Sequence, residues 1–236
     1  MSKAPHTVFF SWQIDTPNNS GRSLIERALQ KAILRVGQGT DFEEAIRDDL
    51  VIDRDTKGVP GSPPIVETIL QKIDQASIFV PDLTFVGKRD DGRPTPNPNV
   101  LIEYGWALKS LGHSRIVPIM NSAFGKPTSE SMPFDMRHLR NPILFDCPTD
   151  IGQEERTKVR EMLANKLERS IRNVFRSKEF KRDHLPFFGW WIYALKAMSD
   201  GQIVDVVGVF RVTEGVTQAK IVGGEAFYVV DGNISP

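Results

Sequence analysis

Five short apolar runs alternate with segments of helical periodicity, and this alternation constrains the fold more than any other feature of the chain. The runs are Val8–Trp12, Leu50–Asp53, Ser77–Val80, Arg115–Met120 and Pro142–Asp146. Each is too short for a helix and too uniformly apolar for a strand with one wet face, which predicts strands buried on both faces. Between them, Leu24, Ile25, Ala28, Leu29, Ala32, Ile33 and Val36 recur at helical spacing, and Gly37 and Gly39 close that helix. Ile65 to Gln75 repeats the pattern, and Glu154 to Arg176 is the longest amphipathic stretch. Strands alternating with helices over short connections predict a parallel sheet between helices, with ligands bound at the carboxyl ends of the strands. That expectation gathers Ser11, Asp53, Asp82 and the start of a helix over 99–111 around one crevice.

The connections carry turn residues. Asp15 to Gly21 reads as a loop, Arg54 to Pro64 as a loop rich in glycine and proline, and Gly87 to Pro98 as another, after which Asn99 is placed to cap the next helix. Past residue 176 the character changes. Phe187-Phe188-Gly189-Trp190-Trp191 is an aromatic cluster, read as core or interface, followed by two β-rich runs, Ile203 to Val212 and Ala219 to Val230, separated by Thr213-Glu214-Gly215. Two domains are expected, 1–176 and a hairpin-bearing appendage over 177–236 that serves as part of a sensor or an oligomerisation element.

Composition removes several functions. Thirty basic and thirty acidic residues leave no net charge, so direct nucleic-acid binding is not expected. The lone cysteine, Cys147, rules out an internal disulfide framework. The N-terminus lacks the apolar core of a secretory signal, and Leu185 to Met198 is too short and interrupted to span a bilayer, so no membrane association and a cytoplasmic location are expected. The four histidines, at 6, 113, 138 and 184, show no ligand spacing, so no metal is expected. The 58–61 loop lacks the lysine of a nucleoside-triphosphate loop.

Chemistry concentrates in Pro96-Asn97-Pro98-Asn99-Val100-Leu101-Ile102-Glu103-Tyr104-Gly105-Trp106-Ala107-Leu108. The first two turns of this helix are apolar almost all round and predicted buried, with Glu103 their only charge. Such a carboxyl has its pKa raised by desolvation, against the positive end of the helix dipole. Trp106, three residues on, falls on the same side as a pocket wall, and Gly105 admits a close approach. The alternative is a helix N-terminal acid bonded to amides or to an arginine. Arg22, near the first helix start, meets a phosphate or ribose or is simply solvated. Asp82 lines the crevice or caps a turn. Asp53 and Arg54 read as a structural ion pair.

Taken in order, Phe9-Phe10-Ser11-Trp12, Asp53-Arg54-Asp55 through Gly58-Val59-Pro60-Gly61-Ser62, Asp74 to Val80 and the Glu103 helix resemble the first strand, second strand and BB loop, third strand and glutamate-bearing helix of prokaryotic TIR (Toll/interleukin-1 receptor-like) domains. The resemblance spans about residues 6 to 150 and implies a flavodoxin-like α/β fold with a five-stranded parallel sheet, the β-rich appendage lying outside the pattern. It implies that Glu103 is catalytic in cleaving the nicotinamide N-glycosidic bond of NAD+, which is substrate rather than cofactor. It also implies a nicotinamide-side pocket from Phe10, Ser11, Trp12 and Trp106, with Arg22, Asp82 and Asn99 as further substrate contacts. A role in bacterial anti-phage defence follows, with homo-oligomerisation through the 57–64 loop and a nucleotide second messenger or protein as activator. Two other readings remain: an enzyme like nucleoside deoxyribosyltransferases, whose helix glutamate forms a glycosyl intermediate, and a non-catalytic scaffold.

Overall fold

The computed structural model describes residues 6–39, 50–55, 64–139, 141–183, 189–199, 202–212, 216–217, 220–221, 224–230 and 233–235. The chain divides into two compact units, Met1–Phe175 and Arg176–Pro236.

In the first unit, β1 (His6–Ser11) pairs in parallel with β2 (Leu50–Asp53) on one side and β3 (Ile78–Pro81) on the other. Val8 stands opposite both Ile52 and Ile78. A second parallel pair joins β6 (Ile119–Asn121) to β7 (Ile143–Phe145). Isolated parallel bridges connect Phe79 with Ile116 and Asp82 with Ile119, through Val117 N to Phe79 O at 2.9 Å and Leu83 N to Ile119 O at 2.9 Å. Parallel pairing thus occurs as three strands and two. The helices are α1 (Arg22–Gln38), α2 (Ile65–Gln75), α3 (Pro98–Ser110) and α4 (Gln153–Arg176), with a short α5 (Lys178–Asp183) opening the second unit.

Alternation along β1 sorts the core into two faces. Phe9 stacks on Phe79, their rings 6.2 Å apart, in a cluster with Ile73 of α2, Val100, Tyr104 and Ala107 of α3, and Met120. Val8 and Phe10 point the other way. That side is covered by α1 and α4, joined by an Arg35–Glu168 contact, which bury Leu24, Ile25, Ala28, Leu29, Leu163, Leu167 and Ile171. Removing each such large side chain from water contributes about 1.5–3 kcal/mol.

The segment expected to be a loop over 87–98 instead contains a hairpin, β4 (Phe85–Lys88) against β5 (Pro94–Pro96). Its tip closes through Gly92 N to Arg89 O at 2.8 Å, with Gly92 at a φ of 78° that only glycine adopts without strain. Pro94 and Pro96 are tolerated because a two-stranded ribbon has free edges.

The second unit is a four-stranded antiparallel sheet in the order β13-β12-β9-β8, formed by β8 (Gly189–Ser199), β9 (Gln202–Val212), β12 (Gly224–Val230) and β13 (Asn233–Ser235). A small ribbon pairs β10 (Val216–Thr217) with β11 (Lys220–Ile221). Trp190 and Trp191, read from sequence only as an aromatic cluster, open a full strand that pairs with β9 from Gly189–Val212 to Ser199–Gln202. Aromatic and β-branched residues favour strands, and here that preference decides the element. The aromatics Phe187 and Phe188 and the turn Thr213-Glu214-Gly215 lie outside the described residues. No helix among the described residues is long and apolar enough to cross a membrane.

Candidate functional site

The start of α3 is set by Asn97, not by Asn99. Asn97 Oδ1 accepts from Asn99 N at 2.8 Å, and Pro98 occupies the first helical position, where a missing N–H costs nothing. The side-chain amide of Asn97 donates to Asp15 Oδ2 at 2.6 Å, so the loop after β1 is tied to the helix that carries Glu103. Asn99 is exposed, its backbone serving the cap.

One turn on, Val100, Tyr104 and Ala107 face the core. The helix is not buried all round as expected. Ile102 is 63% exposed and Gly105 is exposed with nothing within 4 Å of where a Cβ would stand, so no backbone approaches it among the described residues. Glu103 lies between these faces and is half-buried. Burial pushes its carboxyl above the usual glutamate range, opposed only by the Ser11 hydroxyl, which favours the ionised form. Ser11 is on the α3 side of β1 because it shares the alternation of Phe9. Its Oγ is buried and forms no hydrogen bond of normal geometry, so it acts on Glu103 as a nearby dipole rather than as a committed partner.

Phe10 is fully buried on the opposite face and belongs to the core. Trp12 and Arg22 come together: the Arg22 guanidinium lies 3.4 Å from the centre of the Trp12 ring and its end stands 3.9 Å from Asp55 Oδ2. Trp106 is directed elsewhere. Its indole N–H donates to Asp74 Oδ1 of α2 at 2.7 Å, because three residues carry it about 4.5 Å farther down the helix axis, towards the end of α2. The side chains of Asp53 and Arg54 form no ion pair with each other, although Arg54 N donates to Asp53 Oδ1 at 2.7 Å. Asp53 binds Lys72 at 2.8 Å and Arg54 binds Glu26 at 2.9 Å.

Asp82 is fully buried. Its Oδ1 accepts from Thr84 N at 3.0 Å and Thr84 Oγ1 at 2.5 Å, while Oδ2 has no partner. Burial raises its pKa despite the bonds from Thr84 and a smaller contribution from Gln13. Around it runs a network that the sequence does not announce. Gln13 Nε2 donates to Thr84 O at 3.1 Å and Asn121 N donates to Thr84 Oγ1 at 2.9 Å. Asn121 also grips the Cys147 peptide on both sides, Nδ2 donating to Cys147 O at 2.9 Å and Oδ1 accepting from Cys147 N at 3.0 Å. These side chains seal the carboxyl ends of β1, β3, β6 and β7 beneath the loops. Their only sequence signal is a polar residue just past an apolar run.

Three clefts bounded by described residues are lined by neither Glu103 nor Ser11. No protein-family model matches the chain, and no curated protein matches it.

Proposed function

We propose that the Met1–Phe175 unit is a TIR domain that cleaves the nicotinamide N-glycosidic bond of NAD+, with Glu103 as the catalytic residue. The observation that carries this reading is the isolation of the Glu103 carboxyl. Asp53, Glu26 and Glu161 each sit against a lysine or arginine, whereas burial disfavours the charge on Glu103 and only a hydroxyl opposes it. A carboxylate held this way gains most from a cation brought by a ligand.

In the proposed reaction the bond from ribose C1′ to the pyridinium nitrogen breaks and its electron pair neutralises that nitrogen. Nicotinamide leaves neutral, and C1′ becomes oxocarbenium-like. Ionised Glu103 stabilises this charge, water adds to C1′ and its proton passes to solvent. Ser11 would orient the carboxylate, and the Trp12–Arg22 pair offers an aromatic face and a fixed cation to the remaining nucleotide. Both lie at the carboxyl end of β1, where parallel α/β sheets bind ligands. The bridges from β3 to the 116–119 segment support reading the parallel strands as one flavodoxin-like sheet in the order β2-β1-β3-β6-β7. We assign the unit to assembly-activated bacterial anti-phage defence in the cytoplasm. Homo-oligomerisation falls to the 57–64 loop, of which the described residues contain only Pro64, and the β-rich unit to sensing a nucleotide or protein activator.

The test is nicotinamide release from NAD+ by the full chain at high concentration with a crowding agent, beside Glu103→Gln. Release by the wild type and at least a hundredfold less by the variant is expected. Equal release from both, or none from the wild type, overturns the proposal, and a sugar trapped covalently on Glu103 with a nucleoside substrate would move the reading to deoxyribosyl transfer.

A further inference from the structure

Along most of their contact, α1 and α4 match cations with carboxylates. Lys31 and Arg35 both bond Glu161, whose carboxyl they hold below the usual range, and Arg35 also stands 3.9 Å from Glu168. The matching stops at the end nearest the loop after β1. There Arg27 of α1 and Arg156 and Arg160 of α4 line one cleft of about 220 Å3 together with Asn18, Ser23 and Gln153, and no carboxylate lines it. Arg27 and Arg160 form no ion pair or hydrogen bond with any described residue. Arg156 is partly held, its Nη2 donating to Ile151 O at 2.8 Å, while its Nε is buried and unbonded.

Three permanent cations around one small cleft repel each other, and the rest of the same interface shows that glutamates fit between these helices. An anion is the missing partner. We propose that this cleft binds a phosphoryl group. Guanidinium forks suit the tetrahedral oxygens of phosphate, and the side-chain amides of Asn18 and Gln153 add neutral donors, while the Ser23 hydroxyl is already given to Asn18 Oδ1 at 2.9 Å. The volume lies below the roughly 300–1,000 Å3 of sites that enclose a whole small molecule, so the cleft holds the phosphoryl group and any organic remainder extends outside. The cleft is bounded by α1 and α4, on the sheet face opposite α3, so this site is separate from Glu103 and does not depend on NAD+ cleavage.

The test compares the full-length wild type with an Arg27→Gln/Arg160→Gln double variant in thermal unfolding. Inorganic phosphate, AMP and, at matched ionic strength, sodium chloride are the three additions. Phosphate should raise the unfolding temperature of the wild type saturably, with a dissociation constant at least tenfold tighter than in the double variant, and chloride should not. AMP binding more tightly than inorganic phosphate identifies an organic phosphate ester as the ligand, and equal binding identifies the phosphoryl group alone. Without added anion the double variant should unfold no lower than the wild type, since two unpaired like charges are removed. A phosphate effect equal to that of chloride, or unchanged in the double variant, overturns the site, as does a double variant less stable than the wild type in anion-free buffer.

Discussion

Replacing Asp82 by asparagine should make the protein more stable, by an amount that grows with pH. Asp82 Oδ1 accepts two bonds from Thr84, and an amide oxygen at that place accepts the same two. The other oxygen, Oδ2, is buried without a partner, as is Gln13 Oε1, and Gln13 is close enough to act on the carboxyl. Asparagine in its place carries no charge, so it escapes the burial penalty that raises the Asp82 pKa. The folded protein holds the Asp82 pKa above its unfolded value near 3.8, so the native state binds the proton more tightly. The stability that protonation provides is complete below the unfolded pKa and is lost as pH rises through the folded one. In that window the wild type falls behind the variant by up to about 1.4 kcal/mol per pH unit, and the gap levels off above the folded pKa. For a domain of this size that is roughly 3–6 °C of unfolding temperature per unit. Thermal unfolding of both proteins from pH 4 to pH 8 measures it. Nearly equal stability at the acid end and a widening gap above it are expected. Parallel curves, or a variant that is weaker at every pH, would show that Asp82 is charged and satisfied in the fold and would refute the reasoning.

In the proposed reaction Glu103 must be ionised to stabilise an oxocarbenium-like centre, so NAD+ cleavage should fall as pH drops through its raised pKa. Ser11→Ala removes the group that lowers that pKa, and the acidic limb of kcat/KM should move to higher pH; an unmoved limb separates Ser11 from Glu103. The glycines of the first unit should respond in opposite directions to alanine. Gly105→Ala, in open space on a helix, should stabilise by about 0.5–1 kcal/mol in urea unfolding, and a loss would mean that something packs there. Gly125→Ala should destabilise by about 1–3 kcal/mol, because φ is 127° and the new Cβ would stand 2.8 Å from Phe85 Cδ2; an unchanged midpoint would contradict that crowding.

The elements that follow a single period were legible. Apolar spacing alone gave α2 over Ile65–Gln75 and β2 over Leu50–Asp53, and both stand at those residues in the structure. The misreadings share one cause, a choice made by something other than local pattern. In Asn97-Pro98-Asn99 either asparagine can cap, and Pro98, suited to the first helical position, selects Asn97. Gly92, Pro94 and Pro96 look like loop residues, yet Phe85, buried in the core, anchors one end of a hairpin that uses the glycine as its turn. Trp106 shares a flank with Glu103 by spacing, and the acceptor that holds its indole, Asp74, is 32 positions away. The bond from Gln13 to Thr84 spans 71 positions, and those from Asn121 to Ser20 and Cys147 span 101 and 26. No periodicity encodes such pairs, since each exists only once the strands are side by side.

Two carboxyls at the same end of the sheet have pKa values raised by burial, and their surroundings separate their roles. Asp82 is fully enclosed, bonded twice by Thr84, and joined through Thr84 and Asn121 to the loops above four strands. A ligand cannot reach it without opening those loops, so its carboxyl works as a fastening between them. Glu103 retains a solvent-facing side and has only the Ser11 dipole opposing its burial. The fastening acts on the second group. Gln13 holds the chain just past Ser11 to Thr84, and Asp15 holds the same loop to the Asn97 cap of the Glu103 helix. Ser11 and Glu103 therefore come from β1 and α3, 92 positions apart in sequence, but are set by bonds on both sides of one short loop. A carboxyl whose burial is this weakly offset and whose neighbour is this firmly placed is arranged for a positive charge that arrives with a ligand, which is the condition the proposed reaction requires of it.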